Sequence, residues 1–356
     1  MKKLYSFLVG VLVIILALWA ITVRLESQSK SNDSNKLVIF NWGDYIDPDL
    51  LKEFTKETGV QVQYETFDSN ESMYTKIKQG GTTYDIAIPS EYMISKMMSE
   101  KLLTELDHSQ IKGLENIGSN FLNQPFDPDN RYSVPYFWGT LGIVYNSELV
   151  DRAPEHWNDL WRPEYKNSIM LIDGAREVMG IGLNSLGYSL NSKNEGQLQK
   201  AVDKLYTLTP NIKAIVADEM KGYMIQNNAA IGVSFSGEAR QMLDKNDKLR
   251  YVVPTEASNL WFDNMVIPKT VKNKKAAYQF INFMLRPENA YKNALYVGYS
   301  TPNTSAKTML PKEIQEDTAF YPTEETMQHL EVYQSLGSKW LGIYNDLYLQ
   351  FKMYRK

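Results

Sequence analysis

The segment KLVIFNWGDYIDPDLLKEFTKETGVQVQY, residues 36–64, contains the strand, helix and strand that decide the fold. It opens with the β-rich run KLVIFN. The pair Asp47–Pro48 then combines an N-cap residue with a proline at the first helical position. Gly59 predicts the end of this helix as a C-cap. Apolar and polar residues alternate from Val60 to Tyr64, which predicts a second strand.

The same order continues along the next part of the chain. Asn70 is predicted to cap a helix that runs to Gln79. The run YDIAI, residues 84–88, is predicted to be a third strand, and a helix is predicted from Glu91. A βαβαβ order needs crossover connections and therefore predicts a parallel, wound sheet.

A second set of elements begins near Leu141. Hydrophobic runs predict further strands, which cover residues 168–172, 230–235, 250–253 and 260–267. Three helices are predicted: one that begins at Ala175, one over residues 275–285 and one over residues 341–353. The pair Arg286–Pro287 ends the second of them. With 356 residues the chain is long enough for two domains, so we expect two wound α/β lobes with a cleft between them.

The first 24 residues differ from the rest of the chain. Lys2 and Lys3 precede an uncharged run from Leu4 to Val23, which is long enough to span a bilayer as a helix. The sequence Leu18-Trp19-Ala20 is a poor match to the small-x-small cleavage site of a signal peptide. An uncleaved membrane anchor is therefore favoured, with cleavage as the alternative. The positive-inside rule then places the body outside the cytoplasm, attached to the cell membrane, and residues 25–35 are predicted to be a polar tether.

Composition excludes several functional classes. The net charge is −4 and no basic stripe is present, which argues against nucleic acid as a partner. The sequence contains no cysteine, which excludes disulfides, thiolate metal sites, cysteine nucleophiles and a lipid-modified cysteine anchor. The three histidines have no metal-ligand spacing, so neither a metal nor a cofactor is predicted.

The residues that directly follow the predicted strands are mostly aromatic or acidic. Ligands of open α/β sheets bind outside the carboxyl ends of the strands, and interfaces between domains are favoured pockets. Aromatic faces attract ammonium groups and cover methylenes, while carboxylates form charge-assisted hydrogen bonds with amines. A long, apolar ligand with several positive charges would match both features. The candidates are Trp42, Tyr45, Ser90, Tyr92, Asp173, Glu177, Phe235, Trp261, Asp263 and Tyr299.

Each of these residues also has a purely structural interpretation. An aromatic residue after a strand often packs in the core or at its rim, and an acidic residue near a helix start is often a cap. Asp263 is harder to explain in this way, because it lies within an apolar run and must either face solvent or be paired. Arg176, at a predicted helix start, is interpreted as a partner in a surface ion pair.

Seven ordered segments resemble the spermidine/putrescine-binding proteins of ABC uptake transporters, across essentially everything from Lys36 to the C-terminus. They are NWGDYI (41–46), ETFDSNESMYTKIK (65–78), YDIAIPSEYM (84–93), FDPDNRYSVPYFWGT (126–140), DGAREVMG (173–180), LWFDNMVIP (260–268) and GYSTPN (298–303). The resemblance implies an α/β, two-lobed type II periplasmic-binding-protein fold. Each lobe would be a wound mixed sheet flanked by helices, and the chain would cross between the lobes at a hinge.

The resemblance also implies domain limits and partners. Lobe 1 would comprise residues 36–139 and 264–308, and lobe 2 residues 140–263 and 309–356. The chain would bind spermidine or putrescine in the interlobe cleft and deliver it to the permease and ATPase subunits of an importer. It would have no enzymatic activity.

Roles follow from the resemblance position by position. Five residues would form an aromatic box: Trp42, Tyr45, Tyr92, Trp261 and Tyr299. Asp263 and Glu177 would each bind a protonated amine, and Ser90 would hydrogen-bond. Phe235 lies where relatives often have tryptophan. Gly174, which follows Asp173, lies where relatives carry a second acidic residue. Near the C-terminus relatives have a polar glutamine contact, and Gln350, beside Leu349, would supply it here.

Three other classes stay open. Paired carboxylates among aromatic rings also occur in glycoside hydrolases, although no catalytic motif is present. A binding protein for another solute, such as an amino acid, thiamine or ferric iron, is the second alternative. A receptor that signals without transport is the third.

Overall fold

The computed structural model describes residues 35–217 and 219–354. The predicted membrane anchor, and all of the predicted tether except Asn35, lie outside the described residues. Within the described part, no helix has the length and apolar character needed to cross a membrane.

The first six predicted elements are present in the predicted order. They are β1 (Lys36–Trp42), α1 (Pro48–Thr58), β2 (Gln61–Phe67), α2 (Asn70–Gln79), β3 (Ile86–Ala87) and α3 (Glu91–Ser99). Strand β1 lies between β2 and β3 and is parallel to both, as the βαβαβ order predicts. The predicted N-cap of α2 is wrong by one residue, because the Ser69 hydroxyl accepts the cap hydrogen bond from the Ser72 N–H. Asn70 is instead the first helical residue, and its amide has another role.

The remaining elements complete a mixed α/β fold. Those up to β8 are β4 (Ser133–Asn146), β5 (Ile169–Ile172), α4 (Ala175–Asn184), α5 (Glu195–Leu208), β6 (Ile212–Val216), α6 (Glu219–Ile225), β7 (Ile231–Phe235), α7 (Ser236–Leu243) and β8 (Leu249–Val252). After them come β9 (Ser258–Val266), α8 (Lys274–Met284), α9 (Pro287–Val297), α10 (Thr304–Lys307), α11 (Lys312–Gln315), α12 (Glu324–Gln328), β10 (Leu330–Val332) and α13 (Ser338–Met353).

Strand β4 was not predicted as a strand, although it is central to the sheet. It is 14 residues long, and all but one of its residues are buried. A strand that is buried on both faces shows no alternation of apolar and polar residues, and that alternation is the signal used to recognise strands. Pro135 and two glycines weaken the β pattern further.

The strand order is β2-β1-β3-β9-β4-β7-β5-β6, and β8 and β10 pair at the sides with β4 and β9. Strand β4 changes partners along its length. Residues 133–140 pair with β9, and residues 141–146 pair with β7 and β8. Strands β4 and β9 therefore join two groups of strands, one around β1 and one around β5. The domain limits derived from the resemblance stay a proposal.

Asp85 fixes the start of β3, and β3 leads directly to Ser90. Its carboxylate is buried and accepts hydrogen bonds from three backbone N–H groups. These are Val38 in β1 (2.8 Å), Lys272 (2.8 Å) and Asn273 (2.9 Å) before α8. The Asp85 carboxylate thus connects β3 to β1 and to the start of α8.

Replacing Asp85 with alanine removes the acceptor of all three N–H groups. Since a donor left without an acceptor costs about 1–3 kcal/mol when it is buried, we expect the free energy of unfolding to fall by about 3 kcal/mol in urea denaturation. Asp49→Ala is the control, because Asp49 is exposed and pairs with exposed Lys52. That control should leave the free energy of unfolding nearly unchanged. Equal effects of the two variants would contradict the role of Asp85.

Candidate functional site

Asp263 in β9 is the centre of the candidate site. Its side chain is 5% exposed and accepts hydrogen bonds from the hydroxyls of Tyr45 (2.7 Å) and Ser90 (2.7 Å). Tyr45 follows β1, and Ser90 follows β3 and forms an antiparallel bridge with Asp263. The structure therefore brings together three predicted site residues from segments far apart in sequence.

Asn70 fixes the orientation of Ser90. Its side-chain N–H donates to the Ser90 hydroxyl (3.0 Å), and its side-chain carbonyl accepts from the Ser90 backbone N–H (3.0 Å). Because the Ser90 oxygen accepts from Asn70, its own proton is available for Asp263. Asn70 is therefore a further residue of the candidate site, although the sequence predicts only a helix cap at this position.

Four predicted aromatic residues lie in one row next to Asp263. The rings of Trp261 and Tyr299 meet edge to face, with centroids 5.1 Å apart and an interplanar angle of 86°. Tyr299 also contacts Tyr45 (5.3 Å), and Trp261 contacts Phe235 (6.1 Å). The row Phe235–Trp261–Tyr299–Tyr45 therefore forms an aromatic wall that ends at the buried carboxylate.

Two glycines allow this wall to form. A Cβ atom at Gly139 would lie 2.5 Å from the Trp261 ring, and one at Gly237 would lie 2.1 Å from the Tyr299 ring. Both distances are shorter than any real contact, so a side chain at either position would displace a ring of the wall.

Trp42 and Tyr92 lie at the same edge of the sheet, because the carboxyl ends of parallel strands meet there. The Trp42 ring packs against Phe67, with centroids 4.6 Å apart. The Tyr92 hydroxyl lies 3.4 Å from a carboxylate oxygen of Glu71. Burial raises the pKa of Tyr92 well above its ordinary value, and the nearby Glu71 and Glu177 carboxylates add to this shift.

Glu177 lies in the first turn of α4 and brings a second predicted carboxylate to this region. Burial raises the pKa of its carboxyl group, while its own backbone N–H and the Arg176 guanidinium oppose the shift. Glu71 contributes further repulsion from the group of strands around β1.

The structure does not bring Asp173 and Gln350 into this group. Asp173 accepts hydrogen bonds from Tyr348 and Lys352, the latter at 2.6 Å, which attach α13 to the end of β5. Although partial burial opposes it, these two hydrogen bonds hold the pKa of Asp173 below its ordinary value. Tyr348 and Lys352 are four residues apart and share one helix face, so Gln350 points to the other side and is exposed.

Three further residues close one end of the region, and their positions could not be inferred from the sequence. Glu91 is fully buried and accepts the Phe262 N–H (3.0 Å), and burial raises its pKa to about 8. Tyr333 follows β10 and is buried, with no hydrogen-bond partner for its hydroxyl within residues 35–217 and 219–354. Arg176 stacks on the Tyr333 ring, with its guanidinium carbon 4.2 Å from the ring centroid.

The interpretation of Arg176 as a surface ion-pair partner is wrong. Its guanidinium donates to the side chain of Asn191 (2.9 Å) and to the backbone carbonyl of Leu190 (3.3 Å). It also lies 5.3 Å from the Tyr344 ring. The positive charge of Arg176 is therefore stabilised by neutral acceptors and aromatic faces. It also acts on the Glu91 and Glu177 carboxyls, where it lowers the pKa against the effect of burial.

The electrostatics of the site favour a positive ligand. Burial raises the pKa of Asp263 to about 6, while the hydrogen bonds from Ser90 and Tyr45 oppose this shift. The carboxyls of Asp263 and Glu177 outnumber Arg176, whereas Glu91, with its pKa of about 8, is mostly neutral at pH 7. Carboxylates beside aromatic faces are suited to ammonium groups joined by an apolar chain.

Comparisons of the sequence with a family model and with curated relatives point to the same family. Residues 49–323 match the model of the family described as bacterial extracellular solute-binding protein. The spermidine/putrescine-binding periplasmic protein of Escherichia coli is 38% identical over 328 residues, which are 92% of this chain and 94% of the relative.

Two solved structures are similar in fold and sequence. The spermidine/putrescine ABC transporter substrate-binding protein PotD of Streptococcus pneumoniae has a TM-score of 0.84 and 76% identity, covering 91% of this chain and all of that one. A putative spermidine/putrescine ABC transporter from Listeria monocytogenes has a TM-score of 0.86 and 60% identity, covering 90% of this chain and all of that one. The predicted fold class, a two-lobed α/β periplasmic-binding-protein fold, is confirmed.

The raised pKa of Asp263 predicts how stability depends on pH. The folded state holds a proton on Asp263 up to about pH 6, whereas the ordinary value is 3.8, so the ligand-free protein loses stability as the pH rises through 6. From pH 5 to pH 7.5, we expect the unfolding free energy of the wild type to fall by about 1.5 kcal/mol relative to that of Asp263→Asn. Urea denaturation at both pH values measures it, and a difference independent of pH would contradict this environment of Asp263.

Proposed function

This chain belongs to the bacterial extracellular solute-binding proteins, and we propose that it captures a polyamine, spermidine or putrescine, and delivers it to an ABC importer. The observation that carries the proposal is the environment of Asp263. A nearly fully buried carboxylate receives hydrogen bonds from two neutral hydroxyls, Tyr45 and Ser90, beside an aromatic wall. Burying a charge is costly unless an opposite charge accompanies it, and an ammonium group of the ligand would provide that charge.

The aromatic wall accounts for the rest of a polyamine. Ring faces cover methylenes and attract ammonium groups, so Phe235, Trp261 and Tyr299 suit the chain between two nitrogens. Glu177, in the group of strands around β5, would receive an ammonium group at the other end. Closure of the two lobes around the ligand would then exclude water and strengthen both ion pairs.

Other solutes fit these residues less well. An amino acid would need a cation for its carboxylate, and Arg176 is already held by Leu190 and Asn191. An iron ion would need a cluster of ligands. Among the described residues, no group of three or more histidine, aspartate or glutamate side chains could hold a metal ion. These observations favour a polyamine over an amino acid or ferric iron.

The cellular role is proposed from the same family. The proposed partners are the permease and ATPase subunits of the importer, and the proposed location is outside the cytoplasm. Attachment to the membrane through residues 1–24 is part of the proposal. So is division into lobe 1 (36–139 and 264–308) and lobe 2 (140–263 and 309–356). The site is proposed to bind its ligand without catalysis.

A panel of ligands tests the function directly. A ligand that binds only the folded protein stabilises it by about 2.7 kcal/mol at a hundredfold excess over Kd. We therefore expect spermidine or putrescine to raise the thermal midpoint by several degrees, and amino acids, thiamine and sugars to leave it unchanged. An equal rise with an amino acid would contradict the proposal.

Asp263→Asn should greatly weaken polyamine binding, because one ammonium group would be left buried without its counter-charge. Truncation of one member of a buried charge pair costs about 2–5 kcal/mol, which corresponds to a loss of affinity of about 30-fold or more. Isothermal titration calorimetry with spermidine and with putrescine measures the loss.

Asp49→Asn is the matched control for this experiment. It removes the same charge from an exposed position on α1, where the carboxylate pairs with Lys52, and should change Kd less than about twofold. Unchanged affinity of Asp263→Asn would remove Asp263 from the binding site.

A further inference from the structure

Gly174 is required for space rather than for its backbone conformation. Its φ of −145° and ψ of 126° are extended values that any residue adopts. A Cβ atom at this position, however, would lie 2.1 Å from a carboxylate oxygen of Glu177 and 2.9 Å from its carboxyl carbon. The Glu177 carboxylate therefore occupies the volume that a side chain at position 174 would need.

The position of the Glu177 carboxylate beside Gly174 is stabilised by its own helix. Gly174 is the N-cap of α4, where a glycine supplies no side-chain acceptor for the first N–H groups. The Glu177 carboxylate accepts a hydrogen bond from its own backbone N–H. It also lies at the positive end of the helix dipole. The absence of a side chain at position 174 and the hydrogen bond to α4 thus hold the carboxylate close to the helix start.

The two acidic ends of the site differ in freedom. Asp263 has a short side chain on a strand, and Tyr45 and Ser90 each donate to one of its oxygens. Asn70 in turn holds Ser90 by two hydrogen bonds. Glu177 has one more rotatable bond and depends on the space at position 174. Only the Glu177 end can move without breaking this network.

We propose that Gly174 sets the preferred length of the ligand, by leaving room for the Glu177 carboxylate beside the start of α4 rather than nearer to Asp263. This inference rests on the proposed function. A longer separation between the carboxylates matches a triamine such as spermidine, and a side chain at position 174 would push the Glu177 carboxylate into the cleft. Gly174 is thus a positioning residue that selects spermidine over the shorter diamine putrescine.

Calorimetric titration of Gly174→Ala with spermidine and with putrescine tests the proposal. We expect the ratio of the two Kd values to move toward putrescine by about tenfold, the size of one charge-assisted hydrogen bond gained or lost. In a Glu177→Ala background the same substitution should leave the ratio unchanged, because the carboxylate that it displaces is absent. Gly222→Ala is the glycine control, since a Cβ atom at Gly222 would have no atom within 4 Å.

Glu177→Asp is a second variant, and it does not add a side chain at position 174. It withdraws the carboxylate by one methylene, so the ratio of Kd values should move further toward spermidine. The thermal midpoint of each variant shows that it is folded. An equal change for both ligands in Gly174→Ala, or a shift that persists in the Glu177→Ala background, would overturn the proposal. Failure of the wild type to bind either polyamine would instead overturn the proposed function.

Discussion

A carboxylate removed from water needs compensation, and in this protein Asp263 is compensated only in part. The hydroxyls of Tyr45 and Ser90 stabilise its ionised form, yet burial still raises its pKa to about 6. Dehydration of the Asp263 carboxylate therefore costs more than two neutral donors return. In the proposed complex, an ammonium group of the ligand would supply the further stabilisation, so the burial of Asp263 would contribute to ligand affinity.

This arrangement needs a scaffold that holds the carboxylate in place when no ligand is bound. Strands β4 and β9 pair along residues 133–140. Strand β9 also pairs with β3 in the group around β1, and β4 continues to pair with β7 in the group around β5. Asp85 ties β3 to β1 and to the start of α8, and β3 leads to Ser90. The hydroxyl that faces Asp263 is therefore positioned by buried backbone contacts. The hydrogen bonds of Tyr45 and Ser90 to Asp263 thus rest on a rigid support.

Much of the site could be predicted because local patterns locate the ends of strands. Tyr45, Ser90 and Asp263 each lie in or directly after a strand whose existence the sequence indicates. Strand β4 could not be recognised, since burial on both faces removes the alternation on which recognition depends. Asn70 was assigned as a helix cap, because the same polar side chain suits either role and only the fold places it beside Ser90.

Other residues were missed because long-range pairing decides their positions. Tyr333 follows β10, which has three residues and pairs in parallel with β9, some 70 residues earlier in the chain. A strand this short has too few residues for a periodic pattern to be recognised. Gln350 was chosen by sequence register alone, without regard to the face of the helix on which it lies. Tyr348 and Lys352 bind Asp173, which turns Gln350 away.

The Asp263 end and the Glu177 end of the candidate site are built differently. This difference affects how substitutions would change the ligand that the site prefers. Asp263 belongs to a network in which Tyr45, Ser90 and Asn70 depend on one another, so a substitution at that end disturbs several hydrogen bonds at once. Glu177 depends mainly on its own helix and on Gly174. In the proposed complex, substitutions near the start of α4 would therefore change the preferred ligand length and leave the recognition of the first ammonium group by Asp263 intact, because sites without shared partners contribute independently.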